Sequence, residues 1–104
     1  MQFDVYTNQN PASRERFPFV LDVQADLLEG LETRVVVPLV PRDFFEGKTL
    51  TRLMPVVEVQ GQEYVAITPQ MSGIAKRELG RCVDNLASAR AEFVSALDLL
   101  LTGC

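Results

Sequence analysis

Side chains that commonly carry out catalysis are sparse in this chain. Its 104 residues include two cysteines, Cys82 and Cys104, and no histidine. Because a serine or cysteine nucleophile is normally activated by a neighbouring base, the composition excludes Ser–His and Cys–His hydrolases. The six glycines are isolated, so a Gly-rich phosphate loop is also excluded. No active site is specified by these residues.

Two residues remain as weak candidates for chemistry. Asp22 occupies the polar register of a predicted strand, which favours an exposed or hydrogen-bonded residue over a general acid. Cys82 precedes a predicted helix start, where the pKa of a thiol can fall, although a small structural residue is the favoured interpretation. The acidic residues are not clustered at ligand spacing. We therefore expect neither a metal nor a cofactor.

The charge and hydropathy of the chain limit the classes of partner and the cellular compartments that we expect for it. The net charge is −4, and the ten basic residues are scattered among acids, which disfavours nucleic acid as the main partner. No apolar stretch approaches the ~20 residues of a membrane span. The opening "MQFDVY" lacks the pattern of a signal peptide. A cytoplasmic protein with no membrane contact is expected.

The predicted elements are several antiparallel strands followed by one long helix. Alternating apolar residues in "QFDVYT" and "FPFVLDVQ" predict two strands, and "RVVVPLV" predicts a well-covered third, in which Pro38 marks an edge or a bulge. "PVVEV" and "EYVAIT" flank a Gly-containing turn and predict a hairpin. From Val83 the apolar spacing becomes helical, and Gly103 is placed to end the helix. One mainly β domain over residues 1–104, a small barrel or sheet with a packed terminal helix, is predicted.

The helix ends in the apolar run "DLLLTGC". Successive helical residues point about 100° apart, so one apolar stripe cannot hold all three leucines of this run. Two interpretations stay open: the helix is buried all round, or its end is a contact surface. Leu27 and Leu28 form a second apolar pair, in a segment expected to be a loop. They are interpreted either as part of a contact surface or as ordinary anchors in the core.

Several blocks of the sequence resemble one protein family. In order along the chain they are "MQFDVYTN", "FVLDVQADLL", "TRVVVPL", "MPVVEV", "ITPQMSGI" and the ending "TGC". Together they resemble CcdB, the toxin of CcdA/CcdB toxin–antitoxin modules. The resemblance implies an SH3-like fold of the CcdB–MazF type, with a five-stranded antiparallel sheet, a small sheet and one terminal helix.

The resemblance also implies a function and its partners. Family toxins are not enzymes. They poison DNA gyrase by binding the dimerisation domain of its A subunit, and a CcdA-type antitoxin neutralises them. Toxin and antitoxin together repress their operon, so operator DNA is reached only indirectly, through the antitoxin. The implied molecule is a homodimer whose terminal helices lie side by side at the two-fold axis.

Two sets of residues are carried over from the family. The implied gyrase contact comprises Leu27, Leu28, Asp98, Leu101, Thr102, Gly103 and Cys104. The predicted dimer interface comprises Leu97, Leu100, Leu101, Gly103 and Cys104. Thr102 and Cys104 stand where the best-known member has tryptophan and isoleucine, and Asp98 stands where it has asparagine.

Two alternative functions remain at this point. One is a MazF-like endoribonuclease toxin, which needs a base, an acid and a basic groove. The absence of histidine and the negative net charge argue against it. The other is a non-toxic homologue that retains only antitoxin binding, which the residues at Thr102 and Cys104 keep open.

Overall fold

The strands and the terminal helix follow the order expected from the sequence. The computed structural model describes residues 1–45 and 52–103. Within these residues the strands are β1 (Asp4–Asn8), β2 (Phe19–Asp22), β3 (Thr33–Pro41), β4 (Val56–Val59), β5 (Gln62–Ala66), β6 (Ser72–Ala75) and β7 (Leu79–Asn85). The helix α1 spans Arg90–Thr102.

All seven strands belong to one antiparallel sheet. The order is β4-β5-β3-β2-β1-β7, and β6 also pairs with β3. β3 is long enough, at nine residues, to pair along one side with β6 through Thr33–Val36 and then with β5 through Leu39–Pro41. The predicted class, mainly β with a carboxy-terminal helix, is confirmed. The strands predicted as a main and a small sheet are continuous through β3.

Pro38 lies in a central strand, so its predicted placement at an edge was wrong. It is buried and faces Val20 of β2. On its other side the partner of β3 changes from β6 to β5 around this position, between Val36 and Leu39. Since the ladder is interrupted there, the missing N–H of proline costs no regular hydrogen bond.

The segment around Val83 is a strand, although its apolar spacing predicted the beginning of the helix. Residues Leu79–Asn85 pair with β1, with Cys82 opposite Tyr6. Leu86 then donates its N–H to the Phe3 carbonyl at 2.8 Å, and a 3-10 turn at Ala87–Ala89 leads into α1. Pairing with a distant strand outweighed local periodicity.

Two turns match their sequence signals. Gln60 and Gly61 join β4 to β5 with positive φ values of 51° and 82°, as a two-residue hairpin turn requires. Gly103 ends α1 with a φ of 75°, and its N–H donates to the Leu99 carbonyl at 3.0 Å.

The apolar side chains of β3 point alternately to two clusters on opposite faces of the sheet. Val37 and Leu39 belong to the main core, which the helix covers with Phe93. Val40 belongs to a smaller cluster with Val65 and Ile67 on the other face. The helix therefore covers one face, and the face without the helix carries a second apolar surface.

Candidate functional site

The end of the terminal helix is largely uncovered. Among the described residues of α1, only Phe93 and Ala96 are buried, so the interpretation of a helix buried all round was wrong. Leu101 is 67% exposed. Asp98, Thr102 and Gly103 are also exposed, and Cys104 lies outside the described residues.

This helix end has a well-defined conformation. Thr102 donates its hydroxyl hydrogen to the Asp98 carbonyl at 2.7 Å, one turn earlier. The Gly103 amide closes the last turn on Leu99. A folded helix terminus therefore presents an anionic side chain, Asp98, beside an exposed leucine.

The residues predicted for the dimer interface are not equally exposed. Leu97 and Leu100 are half-buried, whereas Leu101 and Gly103 are exposed. Leu97 packs against the main core through part of its surface. The leucines of α1 thus continue from the core to the helix end, where their surface stays open in the single chain.

The second predicted contact region is a loop that we call the leucine loop, residues 25–31. Its centre is a 3-10 turn, Asp26–Leu28, with no buried residue. Leu27 is 93% exposed and Leu28 47% exposed, so their interpretation as core anchors was wrong. Leu31, which was not among the predicted contact residues, is also exposed and extends this apolar surface.

A buried ion pair lies beneath the leucine loop. Asp22 and Arg34 are 0% and 1% exposed. Asp22 Oδ2 accepts hydrogen bonds from Arg34 Nε at 3.0 Å and Nη2 at 2.5 Å. Burial acts to lower the pKa of the Arg34 guanidinium, but its hydrogen bonds and its attraction to Asp22 and Glu29 raise that pKa overall.

Two further residues connect this pair to the loop. Arg34 Nη1 donates to Glu29 Oε2 at 3.0 Å. The Gln24 side chain donates to the Leu28 carbonyl at 3.1 Å and accepts the Val35 amide at 3.0 Å. Asp22 is therefore hydrogen-bonded, as predicted, but not exposed.

Gln24, Glu29 and Arg34 were not among the residues predicted from the sequence. A usable signal was present, because Arg34 opens the otherwise apolar strand "RVVVPLV" and Asp22 lies in the apolar "FVLDV". Opposite charges in two adjacent apolar strands indicate a buried pair, since a lone buried charge is strongly disfavoured.

The two contact regions come from different elements. The leucine loop reaches the helix through Gln2, whose amide donates to Asp26 Oδ1 at 2.6 Å and whose side-chain oxygen accepts from Arg90 Nη1 at 2.9 Å. Arg90 begins α1, and Asp98 lies about 12 Å further along the axis at 1.5 Å per residue. Through these contacts the loop meets the beginning of the helix, and the predicted contact residues lie at its other end.

A groove lies on the sheet face without the helix. Its volume is about 510 Å³, and Phe44 at its margin is exposed. The apolar side chains that line it among the described residues are Phe17, Val40, Phe44, Phe45 and Ile67. Among the described residues, the lining of this groove is therefore largely apolar.

Cys82 is the second of the two weak candidates for chemistry. Cys82 lies in β7, not at a helix start, and partial burial followed by repulsion from Asp4 raises the pKa of its thiol. The prediction of a helix start that lowers the pKa of the Cys82 thiol was therefore wrong.

Within residues 1–45 and 52–103, no three acidic or cysteine side chains are grouped to hold a metal ion. Over the same residues, no helix has the length and apolar character needed to cross a bilayer.

Comparison with known families gives one assignment that covers almost the whole sequence. The family described as CcdB protein matches residues 2–103. The match includes every strand, the leucine loop and the described helix end. The chain therefore belongs to the CcdB family, whose members are toxins of toxin–antitoxin systems.

Proposed function

We propose that this protein poisons DNA gyrase by binding the dimerisation domain of its A subunit. The observation that carries the proposal is the uncovered helix end, where Leu101 is 67% exposed on a helix that buries only Phe93 and Ala96 among its described residues. Binding energy at protein interfaces is concentrated in a few central residues. An exposed leucine beside a carboxylate suits a partner with an apolar pocket and a nearby arginine.

The proposed gyrase contact combines the helix end with the leucine loop. Asp98, Leu101 and Thr102 contribute from the helix, Gly103 and Cys104 follow it, and Leu27 and Leu28 contribute from the loop. In a homodimer held together by Leu97, Leu100 and neighbouring residues, two helix ends would lie near one two-fold axis. A C2-symmetric target such as a gyrase A dimer could then meet both copies.

Neutralisation by a CcdA-type antitoxin is the second part of the proposal. The groove on the sheet face without the helix offers an apolar surface apart from the helix end. An extended antitoxin segment could occupy this groove while the helix end keeps its structure. We propose that the toxin acts in the cytoplasm and reaches operator DNA only through the antitoxin.

Deleting residues 102–104 tests the gyrase contact. The deletion removes hydrogen bonds at the exposed helix end, among them those from the Thr102 hydroxyl to the Asp98 carbonyl and from the Gly103 amide to the Leu99 carbonyl. We expect the free energy of unfolding to fall by no more than about 1 kcal/mol, because the freed carbonyls can bind water. Binding to the gyrase A fragment should be lost, and binding to a CcdA-type antitoxin peptide should largely survive.

Calorimetric titration of full-length and truncated protein with the gyrase A fragment measures the two affinities. Equal affinities would contradict the proposed contact, and unfolding of the truncated protein would show that the tail belongs to the core. An RNA-cleavage assay with the full-length protein separates this proposal from a MazF-like ribonuclease. Antitoxin binding without gyrase binding by the full-length protein would identify a non-toxic homologue.

A further inference from the structure

The leucine loop lacks the packing that usually holds a binding surface in place. None of its seven residues is buried, and Leu27 is 93% exposed, so burial of the Leu27 side chain contributes little to the conformation of the loop. Its own hydrogen bonds are local, from the amides of Leu28, Glu29 and Leu31 to carbonyls three residues earlier. Short turns with such bonds open readily unless other contacts restrain them.

One restraint comes from a buried guanidinium group. Arg34 directs Nε and Nη2 to the buried Asp22 carboxylate and Nη1 to Glu29, the residue that ends the loop's 3-10 turn. The planar guanidinium offers donors in several fixed directions, whereas a lysine has a single nitrogen. The Arg34 side chain therefore joins the core of the sheet to the loop at Glu29, as the Gln24 side chain does at the Leu28 carbonyl.

Other groups face Glu29 as well. Lys76 Nζ lies 3.8 Å from Glu29 Oε1 and donates to the Glu29 carbonyl at 3.3 Å. The amino group of Met1 lies 3.8 Å from Oε2. Among these contacts the Arg34 bond is the shortest, and its donor is the one that is buried.

We infer that Arg34 is a positioning residue that acts through Glu29 to hold Leu27 and Leu28 in the orientation in which they meet gyrase. This inference rests on the proposed function. A buried ion pair often adds little net stability, and in some proteins such a pair selects one conformation. Here the selected conformation is that of an exposed apolar surface.

The test uses Glu29→Ala, because Glu29 is half exposed and its replacement leaves Asp22 paired with Arg34. Glu32→Ala is the matched control, since it removes the same charge from an exposed position directly after the loop. Glu29→Gln serves as the rescue variant, because its amide oxygen still accepts a hydrogen bond from Arg34. Arg34→Lys keeps the positive charge beside Asp22. The single nitrogen of lysine cannot replace the separate nitrogens with which Arg34 bonds Asp22 and Glu29.

Two quantities are measured on the intact protein: amide hydrogen exchange and affinity for the gyrase A fragment. In Glu29→Ala, exchange at the amides of residues 28, 29 and 31 should accelerate about threefold to tenfold, as expected for loss of one charge-assisted hydrogen bond at a half-exposed site. The dissociation constant should rise by a similar factor. Exchange at Val23, which bonds to the Val35 carbonyl, should not change.

The outcomes separate this inference from the proposed function. Loop exchange that is the same in Glu29→Ala and Glu32→Ala would overturn the positioning role, even if Leu27→Ala weakens gyrase binding. Gyrase binding that is unchanged in Leu27→Ala would instead refute the loop's part in the proposed function. Recovery of slow exchange and of affinity in Glu29→Gln, with loss of both in Arg34→Lys, would support the inference.

Discussion

Replacing Leu101 by alanine tests whether the helix end is a binding surface or part of the core. Leu101 is 67% exposed, so about one third of its side chain is covered within the single chain. Full burial of a leucine contributes roughly 1.5–3 kcal/mol, and one third of that is about 0.5–1 kcal/mol. The free energy of unfolding should therefore fall by about 0.5–1 kcal/mol in Leu101→Ala.

A matched substitution calibrates this value. Leu39 is 0% exposed in the centre of β3, and Leu39→Ala removes the same atoms from a packed site. Its expected cost is about 2–5 kcal/mol. Leu27→Ala, at a position that is 93% exposed, should change the free energy of unfolding by no more than about 0.5 kcal/mol.

Urea unfolding of the three variants should be followed at two protein concentrations. A loss of packing within one chain is independent of concentration, whereas a loss of contact between two copies lowers the midpoint most in dilute protein. Affinity for the gyrase A fragment should fall at least about fivefold in Leu101→Ala and Leu27→Ala. A cost for Leu101→Ala that equals that of Leu39→Ala at both concentrations would refute the reasoning.

Three further predictions concern assembly, oxidation and pH. Sedimentation equilibrium at micromolar concentration should give about twice the 11.6 kDa of one chain, and a monomer mass would contradict the dimer. After oxidation, non-reducing electrophoresis should show a dimer band that Cys104→Ser removes and Cys82→Ser retains; a band that survives Cys104→Ser would exclude that thiol. Burial, followed by the charge of Asp4, raises the pKa of Tyr6 to about 12. The folded state thus keeps this proton more tightly than the unfolded state, whose tyrosine has a pKa near 10, so stability should fall as pH rises from about 10 to about 12. Tyr6→Phe should flatten this decline in urea unfolding, and an unchanged slope would contradict the assignment.

Local patterns predicted most of the elements correctly. The alternation in "QFDVYT" matches β1, and the turn at Gln60 and Gly61 matches the hairpin of β4 and β5. Such signals depend on neighbours within a few residues, so they can be read without knowing the rest of the fold. The segment near Val83 shows their limit, because its pairing partner, β1, lies at the other end of the chain.

Only part of the candidate site could be predicted, because local patterns do not report contacts between distant parts of the chain. The apolar end of the helix and the pair Leu27 and Leu28 could be identified from composition and from the family resemblance. The spacing of apolar residues could not predict that Leu27 is exposed. Nor could it predict that its loop is attached to Arg34. Exposure depends on which elements cover a residue.

By itself, the sequence determined the mainly β class, the terminal helix and its end at Gly103, and a composition without histidine. These follow from periodicity, from the conformational freedom of glycine and from the inventory of side chains. Only the tertiary structure decided that Asp22 is buried against Arg34, that Pro38 lies in the centre of the sheet and that the leucines of the loop face outward. Each of these depends on how elements pack against one another in the fold, because packing determines which side chains lose their contact with water.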